Sequence, residues 1–348
     1  MKTNRDSNEN RDKNINLSKI DKAVYQAAES KIFTPRNKKF IVPILAALLI
    51  ISFLFIELNT RFFKIEGVPT WDEIFQAAEL ASDGEKVEGD LTVHFIDVGQ
   101  GDCQLIKSKS KSVLIDCGEK EYYPDVIQYL KAQEITRLDY VIVTHPHSDH
   151  AGGMSYILEE FDIGTLIMPK LKESITPTTS TYMRILKAVD SKKITLEYAE
   201  PGKEYKLDDA KMTVLSPLDD YSDLNNYSVA AKLVHGENSF MFTGDMETKA
   251  EKDLLQSGVD ISAKVLKVGH HGSNSSTSQD FLDEVDPEYA VIGVGSPNDY
   301  GHPHDQTLKR LENKDIKIYR TDQKGNIIFI SDGKNFEIQT KESKHADN

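Results

Sequence analysis

His145-Pro146-His147-Ser148-Asp149-His150-Ala151-Gly152-Gly153 puts three imidazoles and a carboxylate into six residues, directly after an apolar run at 138–144. That run reads as a buried strand ending in a loop. Imidazole and carboxylate groups together suit divalent ions of borderline or hard character. From a strand-end loop, His145 and His147 point the same way and share one ion. Asp149 and His150 turn to a second ion, ~3.5–4 Å away as in two-metal hydrolases. The two glycines let the chain enter a helix close to the site. A polar turn with chance histidines is the alternative, and four ligand-type residues in six argue against it. Seven of the ten histidines fall in three clusters, at 145/147/150, 270/271 and 302/304, which scattered surface histidines would not do. His94, His235 and His345 stand apart and read as ordinary residues.

Around this stretch, short apolar runs alternate with Gly- and Asp-rich turns from residue 91 onward. Strands are expected at 91–98, 103–106, Ser112–Ile115, 140–144 and 165–168, with helices at Tyr123–Ala132, 153–160 and 181–189. The second half repeats the mixture, with strands near 194–198, 211–215, 229–235, 239–242, 263–268, 289–294, 317–320 and 326–331. Helices are expected there at 247–256, 279–284 and 306–311. Strands and helices mixed through one block of about 240 residues describe an α/β layered domain. Its expected bounds are 91–333, with a polar tail at 334–348.

The N-terminal part reads differently. Residues 1–39 carry ten basic and five acidic side chains, so the remaining residues hold −19 of a chain whose net charge is −14. This tail reads as disordered and basic, with some helix around 17–30. Residues 40–58, FIVPILAALLIISFLFIEL, contain one charge, Glu57, and are long enough to cross a bilayer. Lys31, Arg36, Lys38 and Lys39 crowd the N-terminal flank, which puts the N-terminus in the cytoplasm and the large domain outside. A cleaved signal peptide fits poorly, because no small-x-small site follows the run. Residues 59–90 read as a connector, with Thr70-Trp71-Asp72-Glu73 as a capping box opening a helix to about Ala81. An acidic body is a poor general binder of nucleic acid, so a nucleic-acid substrate requires a local groove or metal ions. Cys103 and Cys117 are too few for a disulfide scaffold; they read as small buried residues, with a cross-strand disulfide as the alternative.

The His-Pro-His-Ser-Asp-His run after an apolar strand resembles the metallo-β-lactamase superfamily. The resemblance extends in family order over 91–333. His94-Phe95-Ile96-Asp97-Val98-Gly99-Gln100-Gly101-Asp102 is similar to the opening strand and turn of one branch. Leu114-Ile115-Asp116-Cys117-Gly118 is similar to the first acidic motif. Phe242-Thr243-Gly244-Asp245 resembles the motif whose Asp bridges both metals. Val265-Leu266-Lys267-Val268-Gly269-His270-His271-Gly272-Ser273 resembles the last metal-histidine motif, and Tyr300-Gly301-His302-Pro303 and Tyr319-Arg320-Thr321-Asp322 follow in place. The branch resembled is the extracellular hydrolase domain of ComEC-type competence channel proteins, used in DNA uptake. One apolar run stands here where those channels have many spans.

The resemblance implies a four-layer αββα sandwich preceded by one transmembrane helix. It implies two divalent ions, Zn²⁺ or Mn²⁺, held by His145, His147, Asp149, His150, Asp245 and His271. Catalysis by a metal-activated water would involve Asp149, Asp245, His270 and His302, with no serine or cysteine nucleophile. Of the adjacent pair, His271 is favoured as ligand and His270 as a substrate contact, with the reverse left open. Asp116 is expected to orient the His/Asp loop, and Asp97 and Asp102 to line the floor. Ser273 and His304 belong to the substrate side, and capping or surface roles for His302 and His304 stay open. One departure stands out. Where many relatives carry a third histidine, this chain reads Asn225-Asn226-Tyr227-Ser228, so the first ion would have an amide at best, which tilts preference from zinc towards manganese. The implied function is phosphodiester hydrolysis, of DNA first. The alternatives are an esterase for cell-surface phosphodiesters such as teichoic-acid phosphorylcholine, and a non-catalytic metal-binding module. The partners expected are the membrane, through residues 40–58, and the phosphodiester substrate.

Overall fold

Alternation of side chains along the strands sorts this domain into layers. In β3 (Ser112–Ile115), Val113 and Ile115 face one core while Leu114 faces another, the period-two signature of a strand buried on both faces. The computed structural model describes residues 47–48, 50–63, 65, 68–70 and 86–341. The chain divides into two units, Met1–Ala78 and Glu79–Asn348.

The larger unit holds two sheets. The eight-stranded sheet runs β15-β14-β1-β2-β3-β4-β5-β6 and the seven-stranded sheet β13-β12-β11-β10-β9-β8-β7. In the first, β1 (Leu91–Phe95), β2 (Gln104–Ser108) and β3 are antiparallel, whereas β3, β4 (Arg137–Ile142), β5 (Asp162–Met168) and β6 (Thr195–Tyr198) are parallel. In the second, β7 (Glu204–Leu207), β8 (Ala210–Val214), β9 (Ala231–His235) and β10 (Asn238–Phe242) are antiparallel. Then β10, β11 (Val265–Lys267), β12 (Tyr289–Ile292) and β13 (Lys317–Arg320) run parallel.

Three cores follow from this arrangement. Between the sheets lie Val93, Phe95, Ile115, Phe240, Phe242 and Phe329, with Phe95 and Phe329 in edge-to-face contact at 6.0 Å. On the outer face of the first sheet, Val126 and Leu130 of α1 (Tyr123–Ala132) and Ile157 and Leu158 of α3 (Met154–Glu160) cover Leu105, Leu114 and Val141. On the outer face of the second, Leu254 of α5 (Thr248–Ser257), Phe281 of α6 (Gln279–Val285) and Leu311 of α7 (Asp305–Glu312) cover Leu266 and Ile292. Helix, sheet, sheet, helix is the layering the resemblance implied.

Three differences from the sequence reading stand out. Residues placed in a polar tail form β15 (Phe336–Thr340), paired antiparallel with β14 (Ile327–Ser331), so the domain runs past residue 333. The strand β7, with only Tyr205 and Leu207 turned inward, was not anticipated. Cys103 and Cys117 are both buried and free, so the disulfide alternative falls.

In the smaller unit, residues 47–48 and 50–58 are helical and run into a π-turn at Asn59–Phe63. Leu48, Ile50, Ile51, Leu54 and Phe55 are exposed on this helix. Among the described residues no helix is long and apolar enough to cross a membrane. Residues 40–46 and 49 of the expected span lie outside the described residues. So do the basic tail at 1–39, the helix expected after Thr70, and residues 342–348.

Candidate metal centre

Loops at the carboxyl ends of the central strands converge on one place, where ligands bind in open α/β sheets. From the first sheet, the loop after β4 carries His145 and His147, and α2 (Ser148–Ala151) carries Asp149 and His150. From the second, the loop after β10 carries Asp245, and the turn after β11 carries His270 and His271. A Cβ on Gly152 would lie 2.4 Å from the Ser148 carbonyl oxygen and 2.5 Å from the Lys120 nitrogen, so this tight entry requires glycine. His270 and His271 both take left-handed backbone angles, φ 50° and 52°, a strained pair of the kind concentrated at functional sites.

Asp149, His150, Asp245 and His271 bring ligand atoms within 4.8 Å of one another. His150 Nε2 lies 3.2 Å from His271 Nε2 and 3.1 Å from Asp245 Oδ1. His271 Nε2 lies 3.2 Å from Asp149 Oδ2. The outer nitrogens are committed elsewhere, His150 Nδ1 to Asp116 Oδ2 at 2.8 Å and His271 Nδ1 to the Gly293 carbonyl oxygen at 2.8 Å. When each Nδ1 donates outward, the neutral ring keeps a lone pair on Nε2, so two lone pairs and two carboxylates face one small space. Asp245 Oδ1 is buried there without a hydrogen-bond partner. A set of converging acceptors with an orphaned carboxylate oxygen fits a divalent cation.

The other oxygen of Asp245 faces a second group. Its Oδ2 lies 3.8 Å from His145 Nε2 and 3.7 Å from His270 Nε2, and His147 Nδ1 is 2.9 Å from His145 Nε2. The carboxylate therefore lies between two imidazole groups, the position a bridging ligand occupies. His271 joins the buried cluster, whereas His270 is partly exposed and also meets Glu247 Oε1 at 3.2 Å.

Electrostatics follow from burial and these neighbours. Burial opposes charge on His150, but Asp245, Asp116 and Asp149 overcome it and raise its pKa, and a divalent cation among these carboxylates would take the place of the proton on Nε2. Burial and the His150 charge push His145 well down. Burial works against ionised Asp245, yet His150 and His271 hold its pKa below the usual carboxylate range. His302, buried with Nδ1 unpartnered, is lowered to about 4 by burial and by His271 and His270, so its ring is neutral at pH 7.

The remaining residues named from sequence divide. Asp116 accepts from Thr144 N at 2.8 Å, Thr144 Oγ1 at 2.6 Å and His150, which fixes the start of the His loop. Ser228 Oγ accepts from Asp245 N at 3.0 Å and lies 3.4 Å from His145 Nδ1. His302 packs its ring 5.4 Å from His270, and His304 Nδ1 accepts from Asn274 N at 3.0 Å. Ser273 Oγ bonds Ser275 Oγ at 3.0 Å within its own turn. Asp97 accepts from Gly99 N at 3.2 Å.

Asn226 requires a correction. Its Nδ2 donates to Asp223 Oδ1 at 2.9 Å, and its Oδ1 accepts from Ala250 N at 3.1 Å. Ala250 is in the first turn of α5, whose N–H groups lack intrahelical partners, so Asn226 serves that helix end and not the first ion. Asn226→His is expected to leave metal content unchanged and to lower stability by ~0.5–2 kcal/mol, as loss of a helix cap does. Elemental analysis and thermal melting check both; tighter zinc retention in the variant would put residue 226 at the metals.

Three contributors were missed. Lys267 Nζ pairs with Asp102 Oδ2 at 2.7 Å, both 1% exposed, and donates to the Val268 carbonyl at 2.7 Å. Asp102 Oδ1 in turn lies 3.5 Å from His271 Nδ1. A lysine inside the apolar run Val265-Leu266-Lys267-Val268 was the available signal. Glu247, two residues past Asp245, accepts from Ser275 Oγ at 2.9 Å beside His270. Glu251 accepts from Thr277 N and, at 2.9 Å, from Ser278 N, so the start of α6 already has its anion. Outside the site, His94 is a core residue bonded to Tyr129 Oη at 2.7 Å and Thr92 Oγ1 at 2.8 Å.

Residues 96–295 match the sequence profile of the metallo-beta-lactamase superfamily. The chain belongs to that superfamily. Among curated relatives, ComE operon protein 3 of Bacillus subtilis is 33% identical over 72% of this chain and 33% of its own length. Competence protein ComA of Neisseria gonorrhoeae is 29% identical over 76% of this chain and 36% of its own length. This metallo-β-lactamase chain is thus related to ComEC-like competence proteins and spans about a third of the length of those relatives. Among solved structures, CmlA, a diiron β-hydroxylase from Streptomyces venezuelae, is similar with a TM-score of 0.47 and 14% identity, over 76% of this chain and 60% of that one.

Proposed function

We propose that this chain is a membrane-anchored, metal-dependent phosphodiesterase whose substrate is DNA. The observation that carries the reading is Asp245, buried between two imidazole groups with Oδ1 lacking any hydrogen-bond partner. Two divalent ions held here would polarise a phosphodiester and lower the pKa of a water between them. His145 and His147 would hold one ion and Asp149, His150 and His271 the other, with Asp245 shared. The chain's own residues supply the rest. Asp116 and Ser228 lock the imidazoles in place, and His270 and the neutral His302 stand at the side where substrate enters. The similarity to competence proteins supports DNA as the substrate. The apolar run at 40–58 with its basic flank, and the exposed apolar side chains along its described part, support anchoring with the domain outside the cytoplasm.

The test uses the full chain, stripped with EDTA and reloaded with Mn²⁺ or Zn²⁺, against single-stranded DNA, duplex DNA, RNA and simple phosphodiesters. Stripping should abolish cleavage of DNA and reloading should restore it, with about two ions bound per chain. Full activity without metal, or two bound ions with no cleavage of any phosphodiester, overturns the reading. In cells, added protease should remove the catalytic domain from outside; protection of that domain overturns the anchoring.

A further inference from the structure

The loop after β12 presents an aromatic ring beside the metal centre. Tyr300 is 63% exposed, more than any other large apolar or aromatic side chain described in the larger unit. Its ring lies nearly parallel to that of His302, with centroids 5.6 Å apart and planes at 21°. One face is thereby backed by an imidazole while the rest is open to solvent. His302 in turn packs 5.4 Å from His270, whose Nε2 is 3.7 Å from Asp245. Two ring-to-ring steps therefore separate Tyr300 from the residues around Asp245.

The loop is held in shape. Asn298 Nδ2 donates to the carbonyl oxygens of Gly295 and His302 at 2.8 and 2.7 Å, and its Oδ1 accepts from Tyr300 N and His302 N at 3.2 and 3.0 Å. A single amide ties both ends of the loop and the backbone of Tyr300 itself, so the segment that carries the ring is held before any ligand arrives, and the ring rests against His302. A preorganised ring loses little freedom on binding.

We infer that Tyr300 is a stacking platform for a nucleobase next to the scissile phosphodiester, which makes the preferred substrate single-stranded nucleic acid. This rests on the phosphodiesterase reading above. The charge balance strengthens it. A chain with a net charge of −14 does not attract a polyanion over its whole surface, so affinity must come from the metal centre and from contacts that ignore charge. Stacking of a base on an aromatic face is such a contact and is tolerant of sequence. A paired base has both faces covered by its neighbours, so only an unpaired or end base reaches the ring.

The experiment compares the metal-loaded full chain with Tyr300→Ala, Tyr300→Phe and Tyr300→Trp. Substrates are a single-stranded oligonucleotide, the same length of abasic oligonucleotide, and glycerophosphocholine. Binding of each oligonucleotide to metal-stripped protein is followed by fluorescence anisotropy. Tyr300→Ala should raise KM and weaken binding for the normal oligonucleotide by about tenfold, with kcat little changed. The abasic oligonucleotide should bind weakly to wild type and be insensitive to the substitution, and Phe and Trp should restore the wild-type values. Equal losses on normal and abasic strands overturn the inference. So does a KM effect confined to glycerophosphocholine, which would make the ring a cation contact. If wild type cleaves normal and abasic strands alike, stacking fails while the phosphodiesterase reading stands; if it cleaves neither, that reading fails first.

Discussion

Asp245→Ala should lower phosphodiesterase turnover by on the order of 10³-fold or more and empty both metal sites, because one carboxylate faces both imidazole groups. Its Oδ1 lies 3.1 Å from His150 Nε2 and its Oδ2 3.8 Å from His145 Nε2, so no neighbouring side chain can take over both contacts. His145→Ala, by contrast, should disturb mainly the group around His147, and Asp149→Ala mainly the group around His150 and His271. Rate and metal content measured on all three variants separate these effects. Near wild-type rate with full metal in Asp245→Ala would mean that the two-ion assignment is wrong.

The second large effect is on stability. Lys267→Met removes the cation from a pair in which both side chains are 1% exposed, and leaves the Asp102 carboxylate buried without compensation. Breaking such a pair costs about 3–5 kcal/mol. Replacing both, as Lys267→Met with Asp102→Asn, should recover much of that loss, since the uncompensated charge is then gone. Denaturant unfolding of the two single variants and the double variant gives the cycle. A Lys267→Met chain within ~1 kcal/mol of wild type would mean that water or another group reaches Asp102.

The sequence was a good guide wherever a local pattern was strong. The bounds of β3 and α1 come out as read, because the turns Lys109-Ser110-Lys111 and Asp116-Cys117-Gly118 bound β3 and Tyr123-Pro124 opens the helix. The His/Asp loop was legible since four ligand-type residues in six have few other uses. What escaped was governed by neighbours distant in sequence. The strand β15, Phe336-Glu337-Ile338-Gln339-Thr340, lies on a sheet edge and turns only Phe336 and Ile338 towards the core, so its composition reads as a tail. Asn226 stands near the right place in chain order, but Asp223 and Ala250 N decide where its amide points, and neither is readable as a partner from spacing. The apolar run around Lys267 signals a buried lysine, but its partner Asp102 comes from the other sheet's loop and is not readable from spacing.

The ligand set draws on both sheets, with His145, His147, Asp149 and His150 on one and Asp245 and His271 on the other. Neither sheet holds enough of the set to bind an ion tightly by itself. Metal uptake would therefore be linked to keeping the two sheets together, and free ion above its dissociation constant would draw the folding equilibrium towards the closed sandwich. Under the function proposed above, the supply of divalent ions would then set how long the fold survives as well as how fast it works.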